Sequence, residues 1–246
     1  MEAEIYKLCL IAAIILGASY IQSSTGFGFG IFVMAFLPSV LLYTEANVLA
    51  TMLSIMTSAL VCISTFKDIN WKNLFFPLLG SFAATQLAVN FIKVQKSQTL
   101  ILLLGIALLL LSIYFFFFSG KIKIKPTWYA GLIAGVISGI MSGMFAIGGP
   151  PVAIYYLHSE KNTDDYLATI SAYFVLSGIV SVAAKASAGF ITRNVWIGLA
   201  VGILGTLVGA FIGKLTREKA NARAIKNAVY AIMAFSGIVN IITALT

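Results

Sequence analysis

Long apolar stretches alternate along the chain with short segments that contain its charged residues. Six stretches of 19 to 24 residues lack Asp, Glu, Lys and Arg: 46–66, 73–92, 97–120, 166–184, 194–213 and 227–246. A helix of about 20 apolar residues crosses a bilayer core of roughly 30 Å. Each of the six stretches therefore predicts one transmembrane helix.

Two further uncharged stretches are much longer, 8–44 with 37 residues and 126–159 with 34. A straight helix of 37 residues would measure about 55 Å, which is too long for a single crossing. Each long stretch holds a segment rich in helix-interrupting glycine or proline, at 23–30 and at 142–151. Both stretches are therefore predicted to fold back as broken helix hairpins.

The order of one long stretch and three short ones occurs twice, which indicates an internal duplication. Residues 118 positions apart support it, because Gly17 aligns with Gly135, Ser24 with Ser142, and Lys67 with Lys185. We predict a first repeat over 1–118, a linker over 119–127 and a second repeat over 128–246. The fold class is then an all-α polytopic membrane protein with two homologous halves, each a broken helix hairpin plus three transmembrane helices.

The direction of the two halves follows from the number of crossings. A hairpin returns the chain to its starting side and three crossings follow, so the second half is predicted to be inverted relative to the first. This arrangement places eleven of the 16 basic residues on one side, as the enrichment of Lys and Arg in cytoplasmic loops favours. The alternative is eight simple crossings with parallel halves, which divides the basic residues equally.

Composition excludes several other classes. Of the 246 residues 60% are hydrophobic and 10% charged, whereas a soluble domain has about 25% charged residues. The net charge of +8 does not indicate a nucleic-acid partner, because the basic residues are scattered between apolar stretches. We therefore expect a multi-pass protein of the cell membrane, and the aromatic surface of its helices suggests a homodimer.

The two helix breaks are the candidate substrate site. Irregular backbone at membrane depth is tolerated where it is buried in protein or faces a watery cavity, and paired broken helices are typical of secondary transporters. The helix that restarts after each break would direct free N–H groups toward the membrane centre, an arrangement that suits a small oxyanion. The candidate site residues are Gln22, Ser23, Ser24, Thr25, Gly26, Phe27, Gly28, Ser142, Gly143, Met144, Phe145, Gly148, Gly149 and Pro150.

Each of these residues also has a simpler interpretation. Glycine and serine in membrane helices commonly let helices pack closely, and Phe27 and Phe145 either gate the site or fill space. The four phenylalanines of 115–118 are expected to face lipid or the membrane interface.

Lys185 and His158 are candidates for attracting the anion or carrying a coupling proton. Lys185 directly follows the 166–184 stretch without an acidic neighbour, and an ionisable group at membrane depth is usually functional. Its alternative is a lysine whose ammonium extends to the interface. His158 would titrate near neutrality as a proton relay, and otherwise it is a solvated loop residue.

The two breaks also carry a resemblance to a known family. Ser24-Thr25-Gly26-Phe27-Gly28, together with Gly143 through Gly148-Gly149-Pro150-Pro151, resembles the TauE/SafE family of sulfite and organosulfonate exporters. The likeness covers length, order of spans, duplication and both glycine-rich segments. It implies transport of a small sulfur-containing anion, such as sulfite, sulfoacetate or a related sulfonate.

Alternating access is the mechanism that we expect for this transport, with no enzymatic activity, metal or cofactor. Export of a dianion from a negative-inside cell needs no coupling, whereas uptake would require H+ or Na+. An anion channel is the main alternative. A thiol-redox carrier using Cys9 and Cys62 is another, although the chain has no Cys-x-x-Cys motif. An intramembrane protease is disfavoured because Asp164 and Asp165 are adjacent and point in different directions on a helix.

Overall fold

The computed structural model describes residues 2–118, 124–216 and 222–245, and in these ranges it contains helices and no strand. Each half has a long helix, a short helix and three long helices, which confirms the predicted fold class. The helices of the first half are α1 (Glu2–Thr25), α2 (Phe29–Phe36), α3 (Tyr43–Ser64), α4 (Trp71–Lys93) and α5 (Ser97–Phe118). Those of the second half are α6 (Trp128–Phe145), α7 (Gly149–Ser159), α8 (Thr163–Ser187), α9 (Arg193–Thr216) and α10 (Ala222–Leu245).

Eight of these described helices are long and apolar enough to cross a membrane, and only α2 and α7 are not. With 8 and 11 residues, α2 and α7 extend over about 12 Å and 16 Å. These lengths are roughly half of a bilayer core of about 30 Å. The short helices therefore re-enter the protein interior instead of crossing it.

Both short helices fold back against the long helix that precedes them. A Cβ atom on Gly17 of α1 would lie 3.1 Å from the ring of Phe32 in α2. In the second half, Ser138 of α6 donates a hydrogen bond of 2.5 Å to the carbonyl of Gly148, just before α7. In each half the contact joins residues on the two sides of a short chain reversal, so the two helices form an antiparallel hairpin.

The chain reverses through left-handed backbone conformations at both breaks. In the first break Gly26 and Gly28 have φ angles of +85° and +108°, which glycine adopts without a steric penalty. In the second break the left-handed residue is Ala146, with φ +56°, and not one of the glycines. The amide of Ala146 donates to the carbonyl of Ser142, the bond of a helix ending with a left-handed residue, and the amide of Ile147 donates to the carbonyl of Met141.

Equivalent helices of the two halves pack against each other in opposite directions. Between α5 and α10, Gln98 donates to the carbonyl of Ala244 and Ser112 donates to that of Tyr230. The helices α3 and α8 also pack together, and the end of α8 lies beside the third turn of α3. In the predicted duplication α1 corresponds to α6, and α4 corresponds to α9. The pairs α1–α9 and α6–α4 are therefore equivalent, and both pack closely. These pairings agree with the predicted duplication, and the inversion of the halves across the membrane stays a prediction.

Close approach of α4 and α6 depends on small residues. A Cβ atom on Gly135 would lie 2.0 Å from the carbonyl oxygen of Pro77, and one on Gly139 would lie 2.5 Å from that of Ser81. The backbones of the two helices are therefore in direct contact, as expected where small residues line a helix interface within a membrane.

The expectation that 115–118 faces lipid is wrong for Phe115. The ring of Phe115 is 6% exposed and stacks on Tyr230 of α10, with the ring centroids 4.9 Å apart. It also stacks on Phe27, with the ring centroids 6.0 Å apart, so the α5–α10 pair is packed against the first helix break. Phe116 and Phe117 are exposed, as expected.

The linker over 119–127 falls partly outside the described residues, which exclude 119–123. The described part, 124–127, is irregular, and α6 begins at Trp128. The hydroxyl of Thr127 accepts a hydrogen bond from the amide of Ala130 and caps this helix. The repeat boundaries 1–118 and 128–246 stay a prediction.

Candidate substrate site

The two helix breaks touch each other in the interior of the protein. A Cβ atom on Gly30, in the first turn of α2, would lie 1.7 Å from the carbonyl oxygen of Ala146. One on Gly149, the first residue of α7, would lie 3.1 Å from Cβ of Phe27. The absence of a side chain at Gly30 therefore lets the backbone of one break rest on the other.

A small cavity lies where the breaks meet. Helices α1, α2 and α3 contribute one part of its wall, and α6, α7 and α8 contribute the other. Six predicted site residues line it: Gln22, Gly28, Ser142, Gly148, Gly149 and Pro150.

The other predicted residues of the first break do not line this cavity. The hydroxyls of Ser24 and Thr25 donate to the carbonyls of Tyr20 and Ile21, one turn earlier in α1. Ser23 lines a different groove, between α1, α3 and α9. Gly26 packs on α8, and Phe27 is buried between Phe115 and the start of α7.

In the second break, too, some of the predicted residues do not line the cavity. Gly143 packs on Thr85 and Ala88 of α4, and Phe145 is buried. The carbonyl of Met144 accepts hydrogen bonds of 2.7 Å from the hydroxyl of Tyr43 and from Nδ2 of Asn47. These residues shape and support the second break without lining the cavity.

Polar side chains of α3, α6 and α8 complete the cavity wall, and the sequence analysis missed them. They are Thr51, Ser54, Ser138, Tyr173 and Ser177. Along α3 and α8 the polar residues recur at about one helical turn, at 51, 54 and 58 and at 173, 177 and 181. That spacing inside apolar spans was the available signal that one face of each helix is polar.

Hydrogen bonds hold most of these side chains in place. Tyr173 donates to the hydroxyl of Ser138 at 2.9 Å, and Ser138 in turn donates to the carbonyl of Gly148. On the opposite wall, Ser54 donates to Oε1 of Gln22 at 3.2 Å. Within the described residues, no hydrogen bond occupies the hydroxyl of Ser142. This hydroxyl can therefore bind a ligand.

The helix start of α2 offers more backbone donors than that of α7. The first-turn amides of a helix have no carbonyl partner within the helix, and the first-turn residues Phe29, Gly30 and Ile31 line the cavity. In α7 the corresponding positions include Pro150 and Pro151, which have no N–H. Anion binding at these helix ends would therefore depend mainly on α2.

Lys185 lies behind the cavity wall. Its side chain is completely buried, and Nζ donates to Oγ1 of Thr51 at 2.6 Å and to the carbonyl of Ser142 at 3.1 Å. Thr51 and Ser142 both line the cavity. No carboxylate of the described residues pairs with this ammonium group. Its burial excludes the alternative of a lysine that extends to the membrane interface.

His158 and the two cysteines are not part of the cavity wall. His158 lies in the last turn of α7 and not in a loop, and its Nδ1 contacts the carbonyl of Ile154 at 2.9 Å. Cys9 is exposed on α1 and Cys62 is partly buried near the end of α3, and both are free thiols. The site described above does not use any of the three.

Eight membrane-length helices, two re-entrant helices and a polar cavity between them define a polytopic α-helical membrane protein. A family model described as "Sulfite exporter TauE/SafE" matches residues 10–239 of the 246 residues. The chain therefore belongs to the TauE/SafE sulfite exporter family, a family of membrane transporters. No curated protein and no solved structure matches the chain.

Proposed function

We propose that the protein carries a small sulfur-containing anion, such as sulfite, sulfoacetate or a related sulfonate, across the cell membrane. The anion is held in the central cavity between the two helix breaks. The observation that carries this proposal is the meeting of both breaks at one polar cavity, with the start of α2 directed into it. Membership of the sulfite exporter family supports a sulfur-containing anion as the substrate.

The electrostatics of the cavity favour an anion over a cation. The free amides at the start of α2 carry a partial positive charge, and the hydroxyl of Ser142 is a neutral donor. In its protonated form, Lys185 adds a full positive charge directly behind the wall. No Asp or Glu is present among the described lining residues, so no carboxylate there would neutralise the charge of a bound cation.

A difference between the two hairpins supports transport by alternating access. The short helix α2 packs against α10, whereas the equivalent helix α7 lies beside an apolar groove that separates it from α5. Leu111 and Tyr114 of α5 line one side of this groove, and Pro151 and Ile154 of α7 line the other. In a protein built from two equivalent halves, exchanging these two arrangements would produce the opposite-facing state. The anion between the hairpins would then be released on the other side.

The electrical cost of transport depends on the direction. Each elementary charge gains or loses about 2.3 kcal/mol per 100 mV of membrane potential. Export of a dianion is therefore driven by a negative-inside potential, and uptake would need coupling to H+ or Na+.

Binding and flux measurements on the purified protein test this function. A panel of sulfite, sulfate, thiosulfate, sulfoacetate, taurine and lactate would be titrated, and the ligands that bind would be followed in proteoliposomes. We expect saturable flux with counterflow for at least one sulfur-containing anion. Conductance that does not saturate would indicate a channel and not a carrier. The proposal would be overturned if none of the anions in the panel binds.

A pair of serine variants tests the cavity assignment. Ser142→Ala removes the free hydroxyl at the cavity and is expected to weaken sulfoacetate binding about threefold to tenfold, the effect of one hydrogen bond. Ser24→Ala serves as the matched control, because its hydroxyl bonds to its own helix and lies outside the cavity wall. Isothermal titration calorimetry measures both affinities. Equal affinities in the two variants would remove the Ser142 hydroxyl from the site.

A further inference from the structure

Lys185 is an ionisable group that the fold buries without a counter-ion. Its side chain is 0% exposed, and its two hydrogen-bond partners, Thr51 Oγ1 and the Ser142 carbonyl, are neutral. Removing an ammonium group from water without a negative partner costs free energy. The protonated form of Lys185 is therefore favoured when a negative charge arrives nearby.

The position of Lys185 connects it to the cavity. Both of its hydrogen-bond partners belong to residues that line the cavity, so the ammonium group is separated from a bound ligand by one layer of protein. An ammonium group has three N–H donors, and these two bonds use two of them.

Helix capping does not by itself account for a buried lysine here. The carbonyl of Met144, near the end of α6, is capped by the neutral groups of Tyr43 and Asn47. Lys67, which occupies the equivalent position in the first repeat, is exposed in a short 3-10 helix (Phe66–Asp68). The break in the first half is therefore formed without a buried cation, and the lysine of the second half needs another reason.

Other ionisable groups near this end of α8 are engaged elsewhere or lie at the surface. On α3, Tyr43 donates to the carbonyl of Met144, and Glu45 accepts hydrogen bonds from Thr192 and Asn194. On α4 and α9, Lys93 and Arg193 are exposed. At the cavity itself, Tyr173 donates to Ser138. None of these groups forms an ion pair with Lys185 in the described part of the chain.

We propose that Lys185 takes up a proton when an anion enters the cavity, so that each transported dianion is carried together with up to one proton. This inference rests on the proposed function, because it requires anion binding in the central cavity. The bound anion stabilises the ammonium form, and by linkage the ammonium form strengthens anion binding. Anion affinity is therefore highest at low pH and falls as the pH rises through the titration of Lys185. The net charge moved per dianion is reduced by up to one.

Proton uptake by the wild-type protein tests the inference without any substitution. Sulfoacetate is a suitable probe, because its sulfonate and carboxylate groups both stay ionised from about pH 6 to about pH 9. Calorimetric titration in two buffers of different ionisation enthalpy gives the number of protons taken up per bound anion. We expect uptake approaching one proton in part of this range. Binding without uptake at every pH would overturn the inference and leave the proposed function standing, whereas no binding of any anion in the panel would overturn both.

Three variants identify the group that takes up the proton. Lys185→Arg keeps the charge but does not titrate, so we expect binding within about tenfold of wild type and no proton uptake. Lys185→Gln removes the charge and is expected to weaken binding about thirtyfold or more, also without uptake. Lys67→Gln is the matched control at the equivalent, exposed position, and it should bind and take up protons as the wild type does.

The proton readout separates this role from a purely structural one. If Lys185 were needed only for packing, the Lys185→Gln variant would be less stable, but the number of protons taken up per bound anion would not change. Uptake that persists in either Lys185 variant would assign the proton to another group and overturn the inference. Thermal melting identifies a variant that fails to fold, and in that case the wild-type titration and the remaining variant decide.

Discussion

Replacing Gly30 with alanine should abolish anion binding and lower the melting temperature of the protein on the order of 5–10 °C. The added Cβ atom would lie 1.7 Å from the carbonyl oxygen of Ala146, where the backbones of the two breaks are in contact. A backbone carbonyl cannot move away by a rotamer change, as the end of a flexible side chain can. The two breaks would therefore be forced apart, and the cavity between them would lose its shape.

Gly149→Ala is the matched control for this substitution. Its Cβ atom would lie 3.1 Å from the side chain of Phe27, a contact that a small shift relieves. Neither Gly30 nor Gly149 has a positive φ angle, so the comparison reports steric contact and not backbone strain. Binding by calorimetry and melting by intrinsic fluorescence would be measured for both. Wild-type binding by the Gly30 variant would show that the two breaks do not touch.

Thr51→Asp is expected to weaken anion binding by at least about a hundredfold, which corresponds to about 2.7 kcal/mol. The hydroxyl of Thr51 lies 2.6 Å from Nζ of Lys185, so a carboxylate at this position would pair with the buried ammonium group. It would also place a negative charge in the wall of the cavity and repel the incoming anion.

Thr51→Asn supplies the neutral control with nearly the same shape as aspartate. We expect it to lose much less affinity than the aspartate variant, because it neither neutralises Lys185 nor repels the ligand. The aspartate variant should melt no lower than the asparagine variant, since it supplies a partner for a buried charge. Equal affinity of the two variants for sulfoacetate would mean that Lys185 and the cavity do not interact electrostatically.

The membrane helices could be predicted from the sequence because charge is excluded from membrane spans regardless of tertiary contacts. The stretch 46–66 predicted α3, which extends over Tyr43–Ser64, and 194–213 predicted α9. For α8 the charge-free stretch was too short, because the helix begins earlier, at Thr163, capped by Asn162, and continues past Lys185. A buried lysine inside a helix cannot be distinguished by sequence spacing from one at the end of the span.

The helix breaks could also be predicted, because their cause is local. Gly26 and Gly28 adopt left-handed conformations that most other residues avoid. The second reversal at Ala146 could not be foreseen, since alanine gives no such signal. Its left-handed conformation is accompanied by the hydrogen bonds from the amides of Ala146 and Ile147 that end α6.

The feature that was predicted least well is which side of each helix faces the cavity. Ser24 and Thr25 were expected at the site but bond to their own helix, whereas Thr51 and Ser177 were missed and line the cavity. In a soluble protein the polar face of a helix indicates its exposed side. In a membrane both the lipid and the protein interior are apolar, so a polar helix face shows that some polar contact exists but not which hydroxyl reaches the cavity.

Locating a bound sulfonate is the most direct test of the claim that the two breaks together hold the anion. Crystals of the protein grown with 2-bromoethanesulfonate would give an anomalous signal from bromine, which fixes the position of the ligand. We expect the sulfonate in the central cavity, within hydrogen-bonding distance of the first-turn amides of α2 and of the Ser142 hydroxyl. A sulfonate bound instead in the groove beside Ser23, between α1, α3 and α9, would contradict that claim.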